Sequence, residues 1–298
     1  MINRREILGA LAAAAVSGAP ASVLARQLAA QATGHGSAIQ LGAQTNAWAI
    51  DPKNPDSFFA VLGQIRQLGY AGFETGFFNL IDQFGSPDEA RRRIAASGLA
   101  FVGIHIAIPF AKCDPETHLP PVSLYERVTH GGKALGAQRL IFSGAPSITV
   151  ADVDKKIEGL NAAGKFAHSL GLGFAYHNHW WEFQSKVGEV EALYANTDPA
   201  AVSFLLDAGH AYRGGADVPA FLRKHSSRIV ALHVRDYKDG KQVPLGSGNF
   251  PLATVAETLK ALKWQGWALN EEEREDGTKG GLTVIEPAYK ALRGAFSA

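Results

Sequence analysis

Short apolar runs alternate along this chain with longer segments in which apolar residues recur at helical spacing. The short runs have the length and composition of buried parallel strands, and polar residues follow each of them. Eight such strands are predicted, ending near Thr45, Glu74, His105, Ser143, His177, Asp207, His233 and Glu271. Because a helical segment separates each strand from the next, the pattern predicts an α/β protein with a single (β/α)₈ TIM barrel.

The predicted helices have recognisable ends. Ser86-Pro87-Asp88-Glu89 combines a cap residue, an early proline and first-turn acids. Several helices should end in a left-handed glycine just before the next strand: Gly69, Gly98, Gly136 and Gly171. Helices are expected over residues 55–68, 124–135, 153–170, 189–194, 218–225, 252–262 and 282–292. An open, doubly wound sheet is the main alternative, but no Gly-rich phosphate-binding segment follows an early strand.

The first residues have the pattern of an export signal. The twin-arginine segment Asn3-Arg4-Arg5-Glu6-Ile7-Leu8 leads into an uncharged, Ala-rich run. We therefore predict a cleaved twin-arginine signal peptide over residues 1–32, with the cleavage site open, and a barrel domain over residues 33–298. The protein should then be periplasmic or otherwise exported. A buried helix or a membrane anchor is the alternative, but a run dominated by Ala and Gly is poorly hydrophobic for a stable membrane span.

Charge and cysteine usage exclude several classes of protein. The chain has 29 basic and 28 acidic residues, and loss of residues 1–25 removes two arginines and one glutamate, so the remainder is formally neutral. A neutral chain has no overall field that attracts nucleic acid or an anionic membrane, and we expect neither as a partner. Cys113 is the only cysteine, so no intramolecular disulfide can form despite the predicted export.

Acidic and imidazole side chains stand at the ends of two consecutive predicted strands. Asp207 follows Leu205-Leu206, and His233 follows Leu232 about one βα unit later. In a parallel barrel these strand ends lie side by side at the face where active sites form. One buried histidine is more often an ordinary core residue than a ligand, but several strand ends with unpaired polar groups would be costly to bury. Carboxylates and neutral imidazoles together are typical ligands of a divalent metal, so the sequence predicts a metal site here.

The order and spacing of these motifs resemble those of the sugar phosphate isomerase/epimerase family, whose members are xylose isomerase-like barrels. The resemblance extends from about residue 39 to residue 295. The segments that carry it are Gly72-Phe73-Glu74, Gly103-Ile104-His105, Tyr176-His177-Asn178-His179-Trp180-Trp181-Glu182-Phe183, Leu206-Asp207-Ala208-Gly209-His210, His233-Val234-Arg235-Asp236 and Gly266-Trp267 with Glu271.

The resemblance implies one divalent metal ion, most often manganese, with zinc, cobalt or magnesium as alternatives. In the family, residues of the fifth to eighth strands hold the metal, usually Glu, Asp, His and Glu. Carried over to this chain, Asp207, His233 and Glu271 match that pattern. His177 stands where many relatives have a glutamate, so the metal ligands expected here are His177, Asp207, His233 and Glu271.

This substitution changes the expected catalytic groups. In relatives, paired glutamates move a proton on either face of an enediolate, whereas here one of the pair would be an imidazole. The candidate catalytic residues are therefore Glu271, His177 and Glu182, where His177 acts as base or as ligand and Glu182 supplies the second carboxylate. Alternatively, Glu182 forms only a salt bridge or a supporting bond to His179.

The remaining polar residues of these motifs are candidate substrate contacts. Glu74 and His105 would face the metal across the mouth of the barrel, and the full set is Glu74, His105, His179, His210 and Arg235. Other roles stay open: Glu74 would instead anchor a neighbouring loop, His210 would support Asp207, and Arg235 would pair with a nearby acid such as Asp236. The segment Gly246-Ser247-Gly248-Asn249-Phe250 offers backbone N–H groups to a ligand or forms a plain turn. Four aromatic residues are either sugar platforms or packing residues: Trp48, Phe110, Trp180 and Trp181.

Together these features predict a divalent-metal-dependent isomerase or epimerase that acts on a sugar or keto-sugar through an enediolate. A lyase or dehydratase acting on a keto-glycoside by the same proton abstraction is the first alternative, and a non-catalytic sugar-binding barrel is the second. Export favours free sugars, glycosides or their keto forms over sugar phosphates. A small carbohydrate is the expected partner, and a homo-oligomer stays open.

Overall fold

Eight parallel strands close into a barrel in the computed structural model, which describes residues 39–274 and 276–297. The predicted signal peptide lies outside these residues. The strands are β1 Ile39–Gln44, β2 Gly72–Gly76, β3 Ala100–Ile106, β4 Arg139–Phe142, β5 Gly173–His177, β6 Ser203–Asp207, β7 Ile229–Val234 and β10 Gly266–Asn270, and β8 Asp236–Lys238 pairs with β9 Lys241–Val243 as a separate hairpin. Around the barrel the order is β1-β10-β7-β6-β5-β4-β3-β2, which confirms the predicted TIM barrel.

Helices follow the barrel strands as predicted. They are α1 Pro55–Leu68, α2 Pro87–Ala96, α3 Val122–Leu135, α4 Val150–Ser169, α5 Trp180–Phe183, α6 Glu189–Asn196, α7 Ala208–Arg213, α8 Val218–His225, α9 Leu252–Ala261 and α10 Leu282–Ser297. Among the helices that the structure describes, none is long and apolar enough to cross a membrane. The short helices α5 and α7 and the β8–β9 hairpin were not predicted, because each is too short to show a periodic pattern.

The helix ends follow the sequence rules. At α1, the Asn54 side chain accepts a hydrogen bond from the Asp56 N–H, and the helix ends at Gly69 with φ of 100°. The other three predicted glycines also have positive φ, at 67° for Gly98, 93° for Gly136 and 83° for Gly171. These four predictions are confirmed.

Strand periodicity directs the polar strand ends into the barrel. Ala175, Leu205, Ala231 and Leu269 belong to one buried apolar cluster. Because side chains alternate between the two faces of a strand, the residue two positions further along each strand faces the same side. Those residues are His177, Asp207, His233 and Glu271. The apolar cluster is thus the floor on which the four polar side chains stand.

The glycine-containing segment after the β8–β9 hairpin binds a side chain of the protein itself. The backbone N–H groups of Gly246, Gly248 and Phe250 donate to the two carboxylate oxygens of Asp236 at 2.8–3.0 Å. These donors are therefore used within the fold, in agreement with the turn that was the alternative to a ligand site.

Candidate metal centre

Four buried side chains from adjacent strands meet at the carboxyl end of the barrel. His177 ends β5, Asp207 ends β6, His233 lies on β7 and Glu271 directly follows β10. Asp207 and His233 are paired in register. One potential ligand atom from each of the four residues lies within 4.8 Å of all the others. The structure thus brings together all four residues predicted as metal ligands.

The candidate ligand atoms of this group point toward one another. His177 Nε2 is buried and makes no hydrogen bond, Asp207 Oδ2 is ion-paired with Arg235 Nε, and His233 Nδ1 lies against Glu271 Oε2. The distance from His177 Nε2 is 3.4 Å to Asp207 Oδ2 and 3.9 Å to Glu271 Oε2, and His233 Nδ1 lies 2.5 Å from Glu271 Oε2. Unpaired buried polar atoms are costly, and two imidazoles with two carboxylates suit a divalent transition metal. The donor set therefore fits one such ion.

A chain of hydrogen bonds links the two imidazoles of the centre from behind. Glu74 Oε2 lies 2.9 Å from His233 Nε2, and Glu74 Oε1 lies 3.1 Å from His105 Nδ1. His105 Nε2 is 2.7 Å from Ser143 Oγ, which is 3.2 Å from His177 Nδ1. Glu74 therefore does not line the mouth as a predicted sugar contact, but holds two histidines.

This series of hydrogen bonds determines which nitrogen of His177 and of His233 carries the proton. Burial raises the pKa of Glu74, but His233 and His105 more than offset this and lower it, so Glu74 is an ionised acceptor. It accepts the Nε2–H of His233 and the Nδ1–H of His105. His105 Nε2 must then accept the Ser143 hydroxyl, and Ser143 must accept the Nδ1–H of His177. When both imidazoles are neutral, the lone pairs of His233 Nδ1 and His177 Nε2 therefore face the centre, as metal ligands require.

Protonation of the two histidines differs in the metal-free protein. Burial opposes a charge on His233, but Glu271 and Glu74 outweigh it and raise its pKa to about 10. Burial, together with His233 and His105, lowers the pKa of His177 well below its usual value. A proton on His233 Nδ1 lies where a cation would bind, so metal binding would release that proton.

Arg235 pairs with the carboxylates of the centre. Its Nε lies 2.9 Å from Asp207 Oδ2, one terminal nitrogen contacts Glu271 Oε2, and the other lies 3.0 Å from Glu273 Oε2. Arg235 was predicted to bind substrate or to pair with a nearby acid such as Asp236. The acids that it pairs with are the two candidate ligand carboxylates and Glu273 rather than Asp236, and it offsets their negative charges.

A cavity of about 260 Å³ opens over the centre. Its walls include several of the predicted substrate contacts: His105, His179, His210 and Arg235. His210 Nδ1 lies 2.9 Å from the Tyr237 hydroxyl and His210 Nε2 lies 3.8 Å from Asp207 Oδ2, so His210 both lines the cavity and faces Asp207. His179 stacks on Trp181 at 4.2 Å, and its Nδ1 makes no hydrogen bond.

Comparison with known proteins identifies the family. A sequence model of the xylose isomerase-like TIM barrel family matches residues 62–292. The chain belongs to this family. The inosose dehydratase of Salmonella agona is 30% identical over 173 residues, which cover 52% of this chain and 58% of that enzyme. The inosose dehydratase of Halalkalibacterium halodurans is 30% identical over 243 residues, which cover 72% of this chain and 80% of that enzyme.

Solved structures give the same fold. A sugar phosphate isomerase/epimerase from Parabacteroides distasonis superposes with a TM-score of 0.68 at 20% identity, over 86% of this chain and 94% of that one. At this identity the likeness shows the fold alone. The match to the Salmonella enzyme spans little more than half of its length, so the activity of this xylose isomerase-like barrel is argued from its own residues below.

Glu182 lies apart from the other predicted site residues of this xylose isomerase-like barrel. Its carboxylate accepts hydrogen bonds from the Tyr176 hydroxyl and from the His179 N–H, and so caps α5. The backbone of His179, rather than its ring, is the partner, which agrees with the supporting role that was the alternative to catalysis. Trp48 is similarly structural, since it is buried and its indole N–H donates to Gln64 Oε1 at 2.7 Å.

Three further residues shape the centre and were not predicted to do so. The Asn178 side chain bonds both backbone groups of Asp207, at 3.0 Å to its N–H and 3.1 Å to its carbonyl oxygen. Asn46 donates to Glu271 Oε1 at 2.9 Å. Ser143 joins the two histidines, as described. Each follows or ends a predicted strand, so the rule that selected the ligands would also have selected these residues.

Replacing Ser143 by alanine should lower the affinity for a divalent metal by about 10- to 100-fold. This is the usual effect of removing a residue that is hydrogen-bonded to a ligand histidine. Without the hydroxyl, nothing in the chain of bonds fixes the Nδ1–H tautomer of His177. Titration calorimetry with Mn²⁺ measures the affinity, and ¹⁵N NMR of the imidazoles reports the tautomer. Ser147→Ala, which removes a serine after the same strand but outside the centre, is the control. An unchanged affinity of Ser143→Ala for Mn²⁺ would contradict the series of hydrogen bonds assigned from Glu74 to His177.

Glu182 gives a pH-dependent stability prediction. Burial raises its pKa to about 7, with Lys156 acting in the opposite direction. The folded state thus keeps a proton on Glu182 that the unfolded state loses above its usual pKa, and its contribution to stability is lost as pH rises toward 7. The wild type should therefore lose stability relative to Glu182→Gln between pH 5 and 7, by up to about 1.4 kcal/mol per pH unit.

Urea unfolding of both metal-free proteins at pH 5, 6 and 7 measures this difference. The comparison cancels the opposite pH effect of His177, His179 and His210, whose pKa values burial lowers. A stability difference that stays constant over this range would show that Glu182 is ionised in the fold.

Proposed function

We propose that this protein is a divalent-metal-dependent enzyme that moves a proton on the carbon next to the carbonyl of a sugar or keto-sugar, as an isomerase or epimerase. The observation that carries the proposal is the set of four buried donors within 4.8 Å of one another. Two of them, His177 and Glu271, line a cavity large enough for a small molecule. A relative named for dehydration of inosose supports a carbohydrate substrate.

His177, Asp207, His233 and Glu271 would hold the metal, with manganese as our first candidate. A bound divalent ion supplies Lewis-acid polarisation of substrate oxygens. His177 is assigned as a ligand rather than a base, because Ser143 engages its Nδ1 and its Nε2 faces Asp207.

Glu271 is the proposed proton acceptor. Burial opposes its charge, but Arg235 and His233 outweigh burial and hold its pKa well below the usual value, so the carboxylate is ionised. Asn46 fixes one of its oxygens at 2.9 Å. His179 lines the same cavity with an unpaired Nδ1, and it is assigned to bind or protonate a substrate oxygen.

A dehydratase is the second candidate. It is favoured by 30% identity to an inosose dehydratase over 72% of this chain, and by the imidazole at position 177. Reversible epimerisation uses a base on each face of the substrate, whereas elimination needs one base and a proton donor for the departing hydroxyl. Glu271 would take the carbon-bound proton, the C–H electrons would form the C=C bond, and the C–O bond would break. The departing hydroxide would receive the proton held by Glu271 and leave as water.

Proton exchange in D₂O tests the proposal. The manganese-loaded protein is incubated with ketohexoses and with inosose, and products are followed by NMR and mass spectrometry. Deuterium at the carbon next to the carbonyl, with a rearranged or inverted sugar, supports the isomerase or epimerase, and loss of water supports the dehydratase. Glu271→Gln should abolish the reaction, while Glu257→Gln, which changes an exposed acid on α9, should retain it. Binding of these sugars without exchange or elimination would favour a non-catalytic sugar-binding barrel.

A further inference from the structure

A second cavity adjoins the one over the candidate metal centre. It has a volume of about 320 Å³ and shares His210, Arg235 and Glu273 with the first cavity. Since these residues line both spaces, one extended molecule can contact both. Three more basic residues line the second cavity: Arg213, Arg274 and Lys279.

These three cations form no ion pair with the acids that the structure describes. Among the ion pairs of the described residues, none involves Arg213, Arg274 or Lys279. Of the described residues that line the cavity, only Glu273 is acidic, and it is already engaged by Arg235 at 3.0 Å and by Asn46 at 2.6 Å. The lining is therefore strongly positive in a chain whose overall charge is close to zero.

The Arg213 side chain is oriented by aromatic rings. Its guanidinium carbon lies 4.9 Å from the ring centroid of Trp180 and 5.3 Å from that of Tyr237, and it hydrogen-bonds the Tyr237 hydroxyl. Stacking fixes the plane of a guanidinium and leaves N–H groups at its edge for an oxyanion. Lys279 donates to the Asn46 carbonyl oxygen at 2.8 Å, which uses one of its three N–H bonds.

We propose that this second cavity binds an anionic group of the substrate, a carboxylate or a phosphate, while the rest of the molecule reaches the metal centre. The inference rests on the proposed function in taking the substrate to be a sugar, and it narrows that substrate to an acidic sugar, either a uronate or a sugar phosphate. Arg213 and Arg274 offer bidentate contacts to either group, and Lys279 adds a point charge. With a neutral sugar, these cations would form no ion pair with the bound molecule.

Binding of a matched set of sugars tests the proposal. D-glucose, D-glucuronate and D-glucose 6-phosphate are titrated by calorimetry into the purified chain, first with manganese and then after chelation. At least one acidic sugar should bind about tenfold or more tightly than D-glucose, the size expected of a single charge-assisted hydrogen bond. Tighter binding of D-glucuronate indicates a uronate, and tighter binding of D-glucose 6-phosphate indicates a phosphorylated substrate.

The double variant Arg213→Gln/Lys279→Gln should reduce this preference to less than about threefold. Arg91→Gln, which removes one exposed cation on α2, controls for general electrostatics and should keep the preference. Thermal unfolding shows whether the variants are folded, and Arg274→Gln alone provides a second, milder test.

Three results would overturn the inference: equal affinity for all three sugars or no binding of any, a preference that survives the double variant, or a preference that disappears on chelation. Binding is measured without turnover. Failure of the proton-exchange experiment therefore leaves this test intact, and a neutral substrate that is turned over refutes only the anionic group.

Discussion

The Asp207→Ala variant should lose its bound divalent ion and all measurable turnover. Asp207 is fully buried, and its Oδ2 lies 3.4 Å from His177 Nε2 and 2.9 Å from Arg235 Nε. Its removal takes away one of the two carboxylates among the four candidate ligands. Arg235 also loses the ion pair between its Nε and Asp207. We expect the metal affinity to fall by more than roughly 100-fold, which is the largest loss typical when a residue hydrogen-bonded to a ligand is replaced. Elemental mass spectrometry of the purified protein, together with a manganese titration, measures the loss.

Asp217→Ala is a matched control for this variant. Both aspartates cap a helix, since Asp207 Oδ1 accepts the His210 N–H at 2.7 Å and Asp217 Oδ1 accepts the Ala220 N–H at 3.0 Å. Each substitution should therefore cost about 1 kcal/mol of stability through the lost cap. Only Asp207→Ala should also lose the metal. A full equivalent of tightly bound metal in Asp207→Ala would place the metal site elsewhere.

Replacing Lys156 by methionine should lower the free energy of unfolding by about 3–5 kcal/mol, the usual cost of breaking a buried ion pair. The side chains of Lys156 and Glu189 are both fully buried and in contact. Lys156 Nζ also donates to the Ala145 carbonyl oxygen at 2.5 Å, and Glu189 accepts bonds from the N–H and hydroxyl of Ser147 at 3.1 and 2.8 Å. Without the lysine, a buried carboxylate loses its only close cation. Urea unfolding measures the loss.

Two further variants test that explanation. In Lys156→Met/Glu189→Leu both charges are absent, so the double variant should be more stable than Lys156→Met alone. Lys155 is the adjacent control, because it pairs with Glu158 at 2.9 Å on the surface, and Lys155→Met should leave stability essentially unchanged. If Lys156→Met and Lys155→Met lower the free energy of unfolding by the same amount, the buried ion pair stabilises the fold no more than the surface ion pair does.

The barrel and the four ligand candidates could be predicted because strong, local rules determine them. Strand ends were placed within two residues, since apolar runs stop where the polar mouth begins. The convergence of Asp207 and His233 then followed from neighbouring parallel strands. The buried pair Lys156 and Glu189 was not predicted because both residue types are usually exposed. The periodicity of α4 nevertheless places Lys156 between the buried Val153 and Leu160.

The partners of individual side chains could not be predicted in the same way. Whether Glu182 reaches the mouth or caps its own helix depends on the turn after β5, and α5 is too short to leave a sequence pattern. Arg235 has one acid beside it in sequence and others near it in space, and it pairs with Asp207 and Glu271 because of the barrel register rather than with its neighbour Asp236. The spacing of residues in the sequence does not show which of these acids Arg235 pairs with.

The Asn178 side chain takes the place of a backbone peptide group beside Asp207. Its amide donates and accepts as a backbone unit would, so the pairing of β5 with β6 is prolonged by one rung beyond the last residue of the ladder. That rung anchors the main chain of Asp207 independently of the segment that follows, from His179 to Gly188. Sequence changes in this segment can then alter which molecules enter the barrel while the carboxylate beneath stays in place. Selectivity and retention of the proposed metal would thus be separable traits, open to change one at a time in evolution or in the laboratory.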